Sequence, residues 1–150
     1  MALPFDTDVV THGIQLAVAP VFVLTAVSGM IGVVAGRLAR IIDRARLVED
    51  RARESDDAQL LERSHWELRE LRRRGRLANG AIALLTLCAF LIGLTIVLLF
   101  LGETTSFQLS RLAIGGFLGG VVCFLLALLC FLIETVIATR LLNFRMPIRP

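Results

Sequence analysis

The sequence predicts an all-α integral membrane protein with three transmembrane helices and a cytoplasmic antiparallel helical hairpin between helices 1 and 2. Composition is the first indication, because 56% of the 150 residues are hydrophobic, 19% are charged and the mean hydropathy is +0.76. Soluble domains average about 45–50% apolar and about 25% charged residues. The other two indications are three long uncharged stretches and a strong asymmetry in the placement of arginine.

The three uncharged stretches are each long enough to cross a bilayer as a helix. About 20 apolar residues span the hydrocarbon core, and continuous apolar runs favour helices over the alternating strands of a barrel. The whole chain, 1–150, then forms a single membrane domain. We predict its transmembrane segments at about 14–36, 77–101 and 112–138.

The arginines determine the predicted orientation. Twelve of the 16 basic residues lie in 37–76 and three in 140–150, whereas the chain before residue 37 has none and the 102–111 connection has one. Positive residues stay on the cytoplasmic side of a membrane. We therefore predict the N-terminus outside, segment 37–76 and the C-terminus inside, and a short outer turn near 102–110.

Segment 37–76 is polar but carries narrow apolar seams typical of coiled coils. Apolar residues recur every three or four positions on both sides of a break at Ser55-Asp56-Asp57. Asp56, three residues before Gln59, fits the start of a second helical arm. The first helix is thus expected to reach about residue 54. The charged faces of the arms indicate either a solvated surface or a docking platform for a cytoplasmic protein partner.

A cluster of four arginines lies where the second arm meets the membrane: Arg72, Arg73, Arg74 and Arg76. Basic residues at this level fix topology and attract anionic lipid headgroups, and we assign the cluster these two roles rather than a specific ligand. The net charge of +3 is too mild to imply a nucleic-acid partner.

Small residues spaced four apart predict close helix packing. They are Ser28, Gly32 and Gly36 in the first span and Gly115, Gly116, Gly119 and Gly120 in the third. Such residues let helix backbones approach each other closely in a membrane. The pattern fits packing within one three-helix bundle, or self-association into a homo-oligomer, because two glycine faces exceed what one internal contact needs.

Glu134 is an ionisable residue in an otherwise apolar helix, near its predicted cytoplasmic end. A carboxylate inside a membrane is a functional hypothesis by default. Its expected partners at this level are Arg37, Arg40, Arg76 and Asn79. The interpretation stays open between a structural ion pair and an ion or proton pathway.

Neither an enzyme nor a metal or cofactor site is expected. The sequence has no HExxH, no Gly-x-Ser-x-Gly, no paired intramembrane aspartates and no phosphate-binding loop. Cys88, Cys123 and Cys130 lie in apolar stretches without metal-type spacing, so we interpret them as small buried hydrophobes.

Three motifs carry a resemblance to a known family. They are GRLARIIDRAR (36–46), ELRELRRRGRLANGAI (67–82) and FLIETVIATRLL (131–142). Together they resemble the bacterial family of small membrane proteins known as domain of unknown function 2721. The resemblance implies three membrane helices and no assigned activity. It also implies a polar cluster at one membrane face, which with Arg76 comprises Arg37, Arg40, Asp43, Arg44, Arg76, Asn79 and Glu134.

Two functions are compatible with this sequence. The first is a non-enzymatic assembly or adaptor protein of the bacterial inner membrane, self-associating and carrying segment 37–76 as a platform. The second is a small homo-oligomeric channel or transport subunit that uses Glu134.

The predicted orientation can be tested with topology reporters. A reporter fused after residue 150 is expected to be active in the cytoplasm, because arginine flanks the inner ends of the spans. A matched fusion near residue 106 should report from the outside. An external signal from the first fusion would overturn the orientation.

Overall fold

The structure is a computed structural model that describes residues 7–54, 57–104 and 110–143. All the regular structure in these ranges is α-helical, and it forms three helices: α1 (Thr7–Arg53), α2 (Ala58–Thr104) and α3 (Ser110–Asn143). The prediction of an all-α chain with three helices long and apolar enough to cross a membrane is confirmed. The candidate spans lie in Val18–Arg53, Ala58–Gly102 and Arg111–Thr139.

Helices α1 and α2 are much longer than a membrane requires. Each has 47 residues, and α3 has 34, whereas about 20 suffice to cross the hydrocarbon core. The surplus in α1 and α2 is the polar sequence between residues 37 and 76. Helix α1 also continues through Pro20, which lies inside the helix.

The start of α2 is stabilised by a capping aspartate. Asp57 accepts a hydrogen bond at its Oδ1 from the backbone N–H of Gln59, at 3.0 Å, and its carbonyl accepts one from Leu61. This is the usual N-cap arrangement, in which a side-chain oxygen satisfies a free N–H of the first turn. The expected capping residue Asp56 lies outside the described residues, as do 105–109 of the predicted outer turn and the arginines of 144–150.

The chain divides into two compact units, of which the first contains residues 7–31 and 84–125 of the described chain. Glycines on α3 bring it close to α2 in this unit. A methyl group at Gly116 would lie 2.8 Å from Oγ1 of Thr95, and one at Gly120 would lie 2.8 Å from Cδ1 of Ile92. Thr95 is itself fixed, because its hydroxyl donates to the carbonyl of Leu91 at 2.8 Å.

The predicted packing glycines therefore differ in what they contact. Gly116 and Gly120 face α2, and Gly119 lies at ordinary contact distance from Leu91. A methyl group at Gly115, Gly32 or Gly36 would meet no atom within 4 Å, and Ser28 is exposed. Of the two parallel glycine pairs of α3, Gly116 and Gly120 thus make the close contact with α2. The small residues of α1 make no such contact within the described chain.

The second unit contains residues 32–83 and 126–143 of the described chain. The polar parts of α1 and α2 contact each other here through a small apolar cluster of Ile41, Val48 and Leu71, with Ala45 and Leu68 packed against it. Gly75 extends the contact, because a methyl group there would lie 3.8 Å from Cγ2 of Ile41. Apolar residues of the two polar parts thus pack against each other.

Many large apolar side chains of the three helices are exposed on the outside of the described structure. Phe22 is 71% exposed, Phe90 is 65% exposed and Leu112 is 64% exposed. Exposing apolar surface to water costs a free energy of about 25 cal/mol for each Å². Exposing the same surface to lipid hydrocarbon does not carry this cost. The faces of these helices are therefore suited to contact with hydrocarbon.

The close approach at Gly116 predicts a stability difference between two alanine substitutions. Gly116→Ala should destabilise the protein by about 1–3 kcal/mol relative to Gly93→Ala, because the new methyl group collides with Thr95. At Gly93 the methyl group has open space, so both variants share the gain in helix propensity and only one has the collision. The free energy of unfolding in mixed detergent micelles measures the difference. Equal stability of the two variants would contradict the packing.

Candidate functional site

The candidate site is built around Glu134, a carboxylate on α3 that is only 1% exposed. It lies in the third candidate span, and its neighbours Ile133 and Val136 on the same helix are apolar and exposed. An unpaired charge in such surroundings would be strongly unfavourable. The chain must therefore bring compensating donors to this position from other helices.

Two arginines from two different helices supply these donors. Nη1 of Arg37, on α1, donates to Oε2 of Glu134 at 3.0 Å. Nε and Nη2 of Arg74, on α2, donate to Oε1 at 3.1 Å and 2.8 Å. Both carboxylate oxygens are thus used, and one acid joins all three helices. We call this arrangement the Glu134 lock.

Arg37 is held in position by two further contacts on α3. Its Nη1 also donates to Oγ1 of Thr135 at 3.0 Å, and the Thr135 hydroxyl in turn donates to the carbonyl of Phe131. The guanidinium carbon lies 4.8 Å from the centroid of the Phe131 ring, within the range of a cation–π interaction. Arg37 is therefore oriented toward Glu134 by polar and aromatic groups together.

A second ion pair joins α1 and α2 away from the Glu134 lock. Nε and Nη2 of Arg44 both donate to Oε1 of Glu67, at 3.0 Å and 2.9 Å. The two side chains are 40% and 25% exposed, so solvent screens the pair. Such partly exposed pairs contribute about 1 kcal/mol or less.

The remaining members of the expected polar cluster do not contact Glu134. Arg40, Asp43, Arg76 and Asn79 are all exposed, and the structure pairs Glu134 with Arg74 in place of Arg76. Helix periodicity explains the difference. Position 74 lies three residues after the buried Leu71 and four before the buried Ala78, so it shares their face, whereas position 76 does not.

The four arginines assigned to lipid headgroups also separate into two kinds. Arg72, Arg73 and Arg76 are exposed, as a contact with headgroups requires. Arg74 is only 21% exposed and is committed to the Glu134 lock. The sequence signal that distinguishes Arg74 from its neighbours is its spacing of three and four residues from Leu71 and Ala78, which places it on the same helix face. The adjacent arginines have the same charge, so charge alone does not separate them.

In the ranges that the structure describes, no three His, Cys, Asp or Glu side chains lie close enough together to hold a metal ion. Cys88 is buried, and Cys123 and Cys130 are partly buried, all as free thiols. Each buried side-chain nitrogen or oxygen atom in these same ranges has a hydrogen-bond partner. The Glu134 lock is thus satisfied by protein groups alone.

Three apolar helices that could span a bilayer, joined by a charge cluster that needs no solvent, define a membrane protein. The chain belongs to the family described as protein of unknown function (DUF2721), whose model matches residues 17–144. A comparison with curated proteins and one with solved structures each gave no match. The match includes all three residues of the Glu134 lock, which are Arg37, Arg74 and Glu134.

The burial of Glu134 predicts a large effect from removing its charge. Glu134→Gln should lower the free energy of unfolding by about 3–5 kcal/mol, because it leaves two half-buried arginines without their counter-charge. Glu67→Gln is the matched control, and its effect should be about 1 kcal/mol or less. Unfolding of the purified variants in mixed micelles gives both values. If the two substitutions cost the same, Glu134 does not hold the helices together.

Proposed function

We propose that the protein is a non-enzymatic, self-associating assembly or adaptor protein of the bacterial inner membrane. The observation that carries the proposal is the state of Glu134, whose two oxygens are both engaged by arginines while the side chain is 1% exposed. An acid held in this way joins helices and is poorly placed to pass ions. We therefore assign Glu134 a structural role in holding the three helices together.

The proposed topology places the polar segment 37–76 in the cytoplasm as an antiparallel helical hairpin. Contacts between Ile41 and Leu71 and the ion pair between Arg44 and Glu67 support two arms that pack along each other. The arginine distribution supports the cytoplasmic side. Two helices linked near residue 55 form a stiff structure that can present side chains to a partner.

The platform surface of this hairpin contains an exposed aromatic residue among charges. Trp66 is 55% exposed and borders a shallow cavity with Glu62, Arg63 and Arg69. Tryptophan and arginine are among the residues enriched at the energetic centres of protein interfaces. We propose this surface as the place where a cytoplasmic protein docks.

Self-association is proposed to use the small residues of α1. Gly32 and Gly36 have open space above them, and Ser28 on the same face is exposed. Helices in a membrane associate through such faces because small residues permit close backbone contact. The α3 glycines are less suited, since Gly116 and Gly120 already pack on α2.

The alternative is a small homo-oligomeric channel or transport subunit. The buried carboxylate in the third span favours it, because such residues often mark ion or proton pathways. The apolar character of α3 between Leu112 and Ile133 counts against it, since that stretch has no charged residue and no Ser, Thr, Asn or Gln. A pathway through it would lack polar groups over most of the bilayer.

The self-association proposal predicts the effect of a bulky residue on the open face of α1. Gly32→Leu should convert the oligomer to a smaller species, because the leucine side chain separates the backbones that the glycine allows to meet. Ala26→Leu adds leucine to an exposed position on a different face of α1, about 120° around the helix from Gly32, and should leave the mass unchanged. Mass measurement in native detergent tests both. A wild-type protein that is monomeric would overturn the proposal.

The same purified protein distinguishes the scaffold from the channel. Proteoliposomes of the oligomer are expected to be no more permeable to ions and protons than empty liposomes. A flux that Glu134→Gln abolishes while the oligomer persists would replace the scaffold with the channel.

A further inference from the structure

A cavity of about 330 Å³ borders the Glu134 lock and is lined mainly by arginine. Its lining residues are Arg37, Arg40, Ile41, Arg44, Leu71 and Arg74, and we call it the arginine pocket. Ile41 and Leu71 are buried apolar residues, whereas the arginines are exposed or half-buried. The volume is at the small end of the range for ligand sites, which is about 300–1,000 Å³, so the pocket suits a compact group.

The arginine pocket has more positive charge than its contacting carboxylates neutralise. Glu134 pairs with Arg37 and Arg74, and Glu67 pairs with Arg44. Arg40 makes no ion pair with any residue in the described part of the chain. Four guanidinium groups thus face two carboxylates, and the excess favours an anion.

The arginines also keep hydrogen-bond donors for such an anion. A guanidinium group has five N–H donors in a fixed planar arrangement. In the described chain, Arg37 donates only from Nη1, and Arg74 only from Nε and Nη2. Nη2 of Arg37 and Nη1 of Arg74 therefore remain for another acceptor, and Arg40 keeps its whole group.

The position of the pocket along the helices indicates where the anion comes from. Arg37 is the first charged residue after the uncharged stretch 9–36, and its guanidinium lies over the ring of Phe131 in the third candidate span. The pocket therefore lies at the boundary between apolar and polar surface. A phospholipid places its phosphate at this level and its acyl chains on the apolar side. Basic pockets at the ends of membrane helices are suited to such headgroups.

We propose that the arginine pocket binds the phosphate of one anionic phospholipid, with Arg40 as its principal free cation. Planar arginine groups match the oxygens of a phosphate better than lysine does. This site differs from the general attraction of Arg72, Arg73 and Arg76 to the membrane surface, because it holds a single lipid at a defined place. It does not depend on the docking or self-association described above.

Native mass spectrometry of the full chain in detergent tests the proposal with short-chain phosphatidylglycerol as the probe. One phosphatidylglycerol molecule is expected to bind per chain in preference to phosphatidylcholine, whose headgroup has no net charge. Free glycerol phosphate at the same concentration should not compete, because it lacks the acyl chains. Equal binding of free glycerol phosphate would overturn the assignment to a lipid, and equal binding of phosphatidylcholine would overturn the anion site.

Variants of Arg40 locate the site without disturbing the Glu134 lock. Arg40→Gln should weaken phosphatidylglycerol binding about tenfold, the effect of losing one charge-assisted hydrogen-bonding group, and Arg40→Lys should weaken it less. Arg46→Gln is the matched control, because Arg46 is exposed on the same helix and outside the pocket, and its effect should be less than about twofold. Thermal unfolding verifies that each variant is folded. If Arg46→Gln weakens binding as much as Arg40→Gln, the attraction is general and the pocket is not a site.

Discussion

A buried carboxylate in apolar surroundings requires positive partners, and this requirement organises the fold. Glu134 is on α3, and its counter-charges come from Arg37 on α1 and Arg74 on α2. Apolar packing alone specifies membrane helices weakly, because lipid competes equally well for apolar side chains. Hydrogen bonds to two specific oxygens, by contrast, fix which faces of the three helices meet. The arginine pocket is a neighbour of this cluster, since Arg37 and Arg74 line it together with Arg40, which makes no ion pair in the described chain.

Much of this arrangement can be predicted from the sequence, because charge and hydropathy report directly on the environment. The three apolar helices, the isolated acid and Arg37 as the first charge after an apolar stretch are all evident in the order of residues. Arg74 is harder to recognise, since it lies in a run of adjacent arginines whose charges are equivalent. Only its phase relative to Leu71 and Ala78 distinguishes it, and that phase becomes decisive once the buried face of α2 is known.

The glycines of α3 have a regular spacing, but the spacing does not determine which of them contact α2. Two pairs on α3 have the same spacing, and nothing in the spacing indicates which pair meets a neighbour. The choice depends on the shape of α2, where the fixed hydroxyl of Thr95 and the side chain of Ile92 occupy the space over Gly116 and Gly120. Gly32 and Gly36 of α1 differ from Gly116 and Gly120, because a methyl group at either α1 position would contact no atom within 4 Å. No contact within the described chain accounts for their small size.

The order of the lock's components along the chain has a consequence for biosynthesis. Arg37 and Arg74 are synthesised and reach the membrane before Glu134, which lies in the last helix. Chains fold from the N-terminus as they are made. During insertion the first two helices thus have two mutually repelling cations, and the newly arrived third helix removes this repulsion. A chain that stops before α3 would keep Arg37 and Arg74 without the carboxylate that pairs with both.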